Sequence, residues 1–162
     1  MNHERRHYAP PESTPSTARD AAAATSRLES DAWRTVDTLL VTLLLIAAAF
    51  FRLWRIADLP PGLSYDEADW GHMVLSILSG NWIQIHELGS LHAYLAAPFV
   101  ALMGRTSLAL RLPEALAGIA TVAFIYLFVR EAFESRLAAF LAGGLYAVNF
   151  EAAHLSRLAF PP

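Results

Sequence analysis

The sequence contains no cysteine and no lysine, and charged residues make up only 17% of its 162 positions. Without cysteine, the chain can form no disulfide, no thiolate nucleophile and no cysteine-ligated zinc site. The formal net charge is only −3, which argues against a nucleic-acid partner. The six histidines form no H-E-x-x-H pattern, so the sequence does not indicate a zinc protease site.

Apolar residues are abundant: 55% of the chain is hydrophobic, and its mean hydropathy is +0.35. These values are typical of an integral membrane protein, so we predict an all-α membrane fold. Three spans are expected, at about 34–56, 112–129 and 137–158. Trp33 and Trp54 lie near the two ends of the first span, about 31 Å apart at helical rise, close to the roughly 30 Å thickness of the hydrocarbon core.

The segments outside the predicted spans differ in character. Residues 1–32 hold several prolines and few large apolar side chains, which predicts a disordered cytoplasmic tail. Residues 57–111 form an external loop in this scheme. Within this loop, Leu91–Met103 is apolar but short and contains Pro98, so we predict a juxtamembrane helix that does not cross the membrane. Arginines in the turn at 130–136 favour a cytoplasmic location for that turn.

Three acids lie within four residues just after the first span: Asp66, Glu67 and Asp69. Ser64 and Glu67 fit the S-x-x-E capping box, and acids in a first turn suit the helix dipole. A carboxylate near a low-dielectric surface can also act as a general base. Both interpretations, a helix cap with a solvated acidic turn and a catalytic acid cluster, remain open at this point.

A second set of ionisable residues, Glu151, His154 and Arg157, recurs at i+3 spacing near the outer end of the third predicted span. Ionisable groups at membrane depth usually face a partner or a cavity. Arg157 could bind a phosphate, or the set could mark a helix end that extends to the interface. A divalent ion that bridges Asp66, Glu67 and a histidine is a further open alternative.

Five short motifs follow one another between about residues 44 and 160. They are Asp66-Glu-Ala-Asp-Trp-Gly, Ile77-Leu-Ser-Gly-Asn-Trp82, Leu91-His-Ala-Tyr94, Leu108-Ala-Leu-Arg-Leu-Pro113 and Ser135-Arg-Leu-Ala-Ala-Phe-Leu-Ala142. In this order, the motifs resemble the N-terminal part of the glycosyltransferase C superfamily. The protein O-mannosyltransferases and the lipid A aminoarabinose transferases are the most similar members. Because members run to several hundred residues, we expect this chain to be an N-terminal portion.

The resemblance implies an inverting transferase in a bacterial inner membrane, multi-pass and in contact with membrane lipid. Its donor would be a sugar on a polyprenyl phosphate, and its acceptor a lipid, a glycan or a protein on the external face. By position in the motif, Asp66 would be the general base and Glu67 would assist it. Four further residues would bind substrate: Trp70, Tyr94, Arg111 and Arg157.

A different class of function stays possible on the same residues. The chain could be a small non-catalytic membrane protein, such as an assembly or transporter subunit. In that case Asp66 and Glu67 would only cap a helix. The exposure and contacts of each acid distinguish the two hypotheses.

Overall fold

The computed structural model describes residues 15–81 and 90–159. These residues form helices and connecting turns, with no strand among them. The prediction of an all-α fold is therefore confirmed. The helices of the described segments are α1 (Pro15–Leu53), α2 (Tyr65–Leu78), α3 (Ser90–Met103), α4 (Ser107–Phe133), α5 (Arg136–Val148) and α6 (Phe150–Leu155).

The chain divides into two compact units, Met1–Asp37 and Thr38–Pro162. The described part of the first unit is the beginning of α1, which starts at Pro15 and thus well before the predicted span. A run of alanines at 21–24 favours this helix, since alanine has the highest helix propensity. Residues 1–14 of the predicted tail lie outside the described residues, so the disorder expected there stays a prediction.

Two helical segments in the described part of the chain are long and apolar enough to cross a membrane: Arg34–Leu53 and Ser107–Phe133. They correspond to the first and second predicted spans. Helix α4 begins earlier than the predicted residue 112, because Thr106 caps it by accepting a hydrogen bond from the Ala109 backbone N–H. The earlier start places Arg111 in the first turns of α4.

The third predicted span, 137–158, is not one helix in the structure. Helix α5 has 13 residues and ends at Val148. Asn149 is extended, and its side chain accepts a hydrogen bond from the Ala152 N–H at 2.8 Å, which starts α6. The apolar run therefore contains a helix cap. Whether this broken segment crosses a membrane stays a prediction.

The second unit has two clusters of buried side chains, and both consist largely of small residues. One joins the C-terminal half of α1 to α4 and α5: Leu44, Ala48, Val122, Tyr126, Ala139 and Ala147. The other joins α2, α3, the start of α4 and the segment after α6: Val74, Ala93, Ala96, Ala97, Val100, Ala109, Leu110 and Ala159. Small side chains let helices approach closely, which is how helices associate in lipid. The second cluster supports the segment that carries the acids.

Candidate functional site

The predicted capping box is present at the start of α2. The Ser64 hydroxyl accepts a hydrogen bond from the Glu67 N–H at 3.3 Å, and a Glu67 carboxylate oxygen accepts one from the Ser64 N–H at 2.9 Å. This reciprocal pair turns the Glu67 side chain back along the helix start and into the protein. Asp66 and Asp69, on the same turns, are exposed. The cap therefore separates one buried acid from two solvated ones.

Glu67 forms a buried ion pair with Arg111 of α4, 44 residues later in the chain. Both side chains are fully buried, with 0% of either accessible to solvent. Arg111 Nε donates to Glu67 Oε1 at 2.7 Å, and Arg111 Nη2 donates to Glu67 Oε2 at 3.1 Å. This bidentate geometry is the strong form of an arginine–carboxylate contact. It fixes the first turn of α2 to the first turns of α4.

All five N–H groups of Arg111 have acceptors. Two bind Glu67, and the other three bind backbone carbonyls of the loop between α1 and α2: Ile56 at 3.1 Å, Pro60 at 3.0 Å and Gly62 at 2.6 Å. A guanidinium has five such donors, so none is left for a sugar phosphate in this arrangement. The contacts favour a structural role for Arg111, and its predicted role in substrate binding gains no support.

The hydrogen-bonding positions of the Glu67 carboxylate are likewise all occupied. Its two oxygens accept hydrogen bonds from Ser64 N, Ala159 N and two nitrogens of Arg111. These bonds fill the roughly four lone-pair positions of a carboxylate. The contacts do not fit the alternative of a divalent ion bridging Asp66, Glu67 and a histidine. Within residues 15–81 and 90–159, no group of three or more histidines, aspartates and glutamates could hold a metal ion.

Electrostatics at Glu67 combine two opposing effects. Burial alone would raise the pKa of its carboxyl, because a charge is costly away from water. The hydrogen bonds from Arg111, Ser64 and Ala159 outweigh burial and hold the pKa of Glu67 below its ordinary value. Glu67 is therefore an ionised structural anion at neutral pH. A carboxylate held in this way is a poor proton acceptor.

Asp66 directly precedes Glu67 and is exposed on the first turn of α2. Among the described residues, no hydrogen-bond partner occupies its carboxylate. Trp70 follows one turn later and is half-buried, with its ring edge-on to His92 at 6.1 Å between centroids. The structure thus leaves the predicted base open to solvent and places Trp70 against α3. These positions leave the roles predicted for both residues as predictions.

Arg157 lies in the turn after α6 and reaches the end of α1. Its Nη1 donates to the Phe51 carbonyl at 3.1 Å, and its Nη2 donates to those of Trp54 at 2.7 Å and Leu59 at 3.3 Å. Its Nε–H and the second Nη1–H are not used in these bonds. Arg157 also lines a cavity of about 440 Å³, together with Phe51, Leu59, Val148, Phe150 and His154. Of the two predicted substrate-binding arginines, only Arg157 has unused donors and lines a cavity.

The remaining predicted residues are dispersed. Tyr94 of α3 is half-buried and lines a separate cavity of about 280 Å³ with Ile77 and Asn81. Glu151 faces another cavity, of about 610 Å³, between α4 and α6. His154 and Arg157 line the same cavity, whereas Glu151 lines a different one, so the three residues do not form a single site.

Two buried polar contacts were not predicted from the sequence. His92 Nδ1 and Glu114 Oε1 lie 2.6 Å apart and connect α3 to α4. Arg52 is fully buried, and its Nη1 donates to the Ala147 carbonyl at 3.0 Å, which connects α1 to α5. The sequence feature that could have indicated such contacts is an ionisable residue inside a predicted span, since such residues usually face a partner. The identity of that partner depends on how the helices pack.

Comparison with known proteins gives one family. Residues 89–161 match the family described as dolichyl-phosphate-mannose-protein mannosyltransferase. No curated protein and no solved structure matches the chain. The matched segment contains Arg111 and Arg157 but excludes Asp66 and Glu67. The match supports a membrane glycosyltransferase, and it confirms the resemblance of this chain to the N-terminal part of the glycosyltransferase C superfamily.

Proposed function

We propose that this chain provides the first external loop and the general base of an inverting membrane glycosyltransferase. The donor is a sugar on a polyprenyl phosphate, and the acceptor is a hydroxyl-bearing or amino-bearing group of a lipid, glycan or protein. The observation that carries the proposal is the separation of the two adjacent acids. Glu67 is buried and saturated with hydrogen bonds, whereas Asp66 is exposed on the same helical turn.

The Glu67–Arg111 ion pair holds the helical turn that carries Asp66 in a fixed position. Glu67 connects the start of α2 to Arg111 and to the Ala159 backbone, and Arg111 in turn binds the loop before α2. A catalytic side chain works best when the element that carries it is held by such a supporting shell. Among the described residues, the capping box and the ion pair use Glu67 but not Asp66. The cap-only alternative therefore accounts for Glu67, and it leaves Asp66 only as a solvated acid near the helix N-terminus.

In the proposed reaction, Asp66 takes the proton from the acceptor O–H or N–H as that atom attacks the anomeric carbon of the donor sugar. The bond between that carbon and the phosphate oxygen breaks on the opposite face. Its electron pair leaves with the polyprenyl phosphate, so the anomeric configuration inverts. General-base assistance of this kind contributes about 10²–10⁴-fold to the rate.

The cavity beside Arg157 is suited to the donor. Its walls carry apolar side chains from the end of α1 and from the turn between α5 and α6, including Phe51, Val148 and Phe150. Arg157 lines this cavity, and the N–H groups that its bonds to α1 leave unused can bind a phosphate. A prenyl chain with a phosphate at one end combines these two chemistries. Ala159, two residues after Arg157, binds Glu67 through its N–H at 3.1 Å, so the cavity and Asp66 flank the same ion pair.

The test compares two aspartates in the full-length enzyme. Asp66→Asn should lower sugar transfer by at least about 10²-fold, while the protein stays in the membrane. Asparagine preserves the size of the side chain, and the capping box does not use residue 66. Transfer is measured with a labelled polyprenyl-phosphate sugar in membranes.

Asp69→Asn is the matched control, because Asp69 is also exposed and lies one turn later on α2. It should retain transfer close to that of the unmodified enzyme. Near-normal transfer by Asp66→Asn, or equal loss in both variants, would exclude Asp66 as the base and favour the non-catalytic alternative.

A further inference from the structure

Two adjoining cavities lie between α2, α3 and the start of α4, on the part of the molecule that the proposed function does not use. One has a volume of about 230 Å³ and the other about 340 Å³. They share three lining residues: Leu75, Val100 and Arg105. Arg105 thus stands where the two cavities meet.

The walls of both cavities are mainly apolar. Leu63 and Leu110 add apolar surface to the first cavity, and Leu78 adds it to the second. Gly71 also lines the first cavity, and its missing side chain leaves space beside Leu110, 3.7 Å from the position that a Cβ would take. Two apolar cavities side by side can hold two hydrocarbon chains of one molecule.

The ionisable groups that line these cavities, Arg105 and His72, are both basic. Arg105 and His72 are both exposed and line the first cavity. Arg105 makes no ion pair among the residues that the structure describes. Asp69, one turn before His72, is exposed but does not line either cavity. An arginine without a carboxylate partner above an apolar cavity complements an anionic head group.

The depth of Arg105 relative to the membrane follows from the contacts of its neighbours at the start of α4. The Ser107 hydroxyl, at the start of α4, donates to the Ala57 carbonyl at 3.0 Å. Ala57 follows closely on the end of the α1 segment that is long enough to span. Arg105, two residues before Ser107, therefore lies at the level where the first two membrane-length helices meet water. Phospholipid head groups occupy that level.

From these observations we infer that the paired cavities bind one anionic phospholipid. Arg105 and His72 hold its phosphate, and its two acyl chains enter the two cavities on either side of Arg105. The site is separate from the cavity at Arg157 and does not depend on sugar transfer. It would fix α2 and α3, the helices that carry and support Asp66, to the membrane surface.

The test measures lipid retention by the full chain in nanodiscs of mixed phosphatidylglycerol and phosphatidylcholine, followed by native mass spectrometry. The unmodified protein should retain one phosphatidylglycerol with a preference of about fivefold over phosphatidylcholine, because the choline cation of the latter offsets the phosphate charge that faces Arg105. Arg105→Gln should remove this preference. Arg55→Gln is the matched control, since Arg55 is also exposed but pairs with Asp58 and lines neither cavity. It should behave as the unmodified protein.

A second pair of variants tests the apolar part. Gly71→Leu should lower retention of both lipids by filling the first cavity, whereas Gly71→Ala meets only Leu110 at ordinary contact distance and should retain them. Equal lipid preference in Arg105→Gln and Arg55→Gln would overturn the inference. Displacement of the lipid by inorganic phosphate at equal concentration would also overturn it, since the site would then be one for free anions. Because Asp66→Asn should leave lipid retention unchanged, this result and the transfer result are independent.

Discussion

Glu67 and Arg111 bring opposite charges into a region without water, where an ion pair is stable only if every polar atom has a partner. The structure meets that condition for the guanidinium and for the carboxylate. The pair therefore connects three separate segments of the chain. The contribution of the ion pair to stability is best measured by a substitution that removes one charge and keeps the shape of the side chain.

Glu67→Gln should lower the free energy of unfolding by about 3–5 kcal/mol, because it leaves the Arg111 charge buried without a counter-ion. Thermal unfolding in detergent measures the change. Asp58→Asn is the matched control, since it removes one charge from the exposed Arg55–Asp58 pair at 3.6 Å. Such surface pairs contribute about 0–1 kcal/mol. An unfolding temperature for Glu67→Gln equal to that of the control would contradict the structural role.

Glu67→Gln should also change how the stability of the protein depends on pH in the acidic range. Since the folded-state pKa of Glu67 is lowered, its contribution is present above the ordinary glutamate pKa of about 4.3. That contribution is lost as the pH falls through the lower folded-state value. Stability of the unmodified protein should therefore fall over this acidic window, and part of the fall should be absent in Glu67→Gln. Parallel pH curves for the two proteins would show that Glu67 is not the group that titrates.

Among the elements, the features predicted from the sequence are those that act over a few residues. The Ser64–Glu67 cap, the apolar runs of α1 and α4, and the short helix at 90–103 all have local causes. The break at Asn149 also had a local signal, an asparagine cap followed by Glu151 in the first turn, but the continuous apolar run concealed it. The Glu67–Arg111 pair joins residues 44 positions apart. The local capping pattern singles out Glu67, but no local pattern could identify Arg111 as its partner.

The close packing of α4 around Gly118 leads to a prediction about stability. A Cβ at Gly118 would lie 2.7 Å from Ser156 Cβ and 2.8 Å from Arg52 Nε. Gly118→Ala should therefore destabilise the protein by about 1–3 kcal/mol, the usual cost of overpacking. Gly144→Ala is the control, because its Cβ would lie 3.7 Å from Leu44 Cδ2, an ordinary contact distance. An unfolding temperature for Gly118→Ala at or above that of Gly144→Ala would show that α4 can move away from Arg52.

The arrangement of the whole molecule in the membrane depends on the two long apolar segments, Arg34–Leu53 and Ser107–Phe133. At helical rise, the 27 residues of α4 extend about 40 Å, which exceeds the roughly 30 Å hydrocarbon core. The two ends of α4 should therefore lie on opposite sides. Asp66, shortly after the first segment, and the start of α4 should then share the external side. The arginine-containing turn at 130–136 should be cytoplasmic.

Single cysteines can test this topology without background, because the sequence contains none. Leu63→Cys and Phe133→Cys form a matched pair, since the two side chains are 46% and 68% exposed, respectively. In intact cells, an impermeant thiol reagent should label the cysteine at 63, and it should label the one at 133 only after permeabilisation. Because both side chains are exposed on the surface of the protein, a difference in labelling would reflect the membrane barrier and not burial inside the protein. Labelling at 133 in intact cells would place both ends of α4 on the external side. The external location of Asp66 would then require a different count of spans.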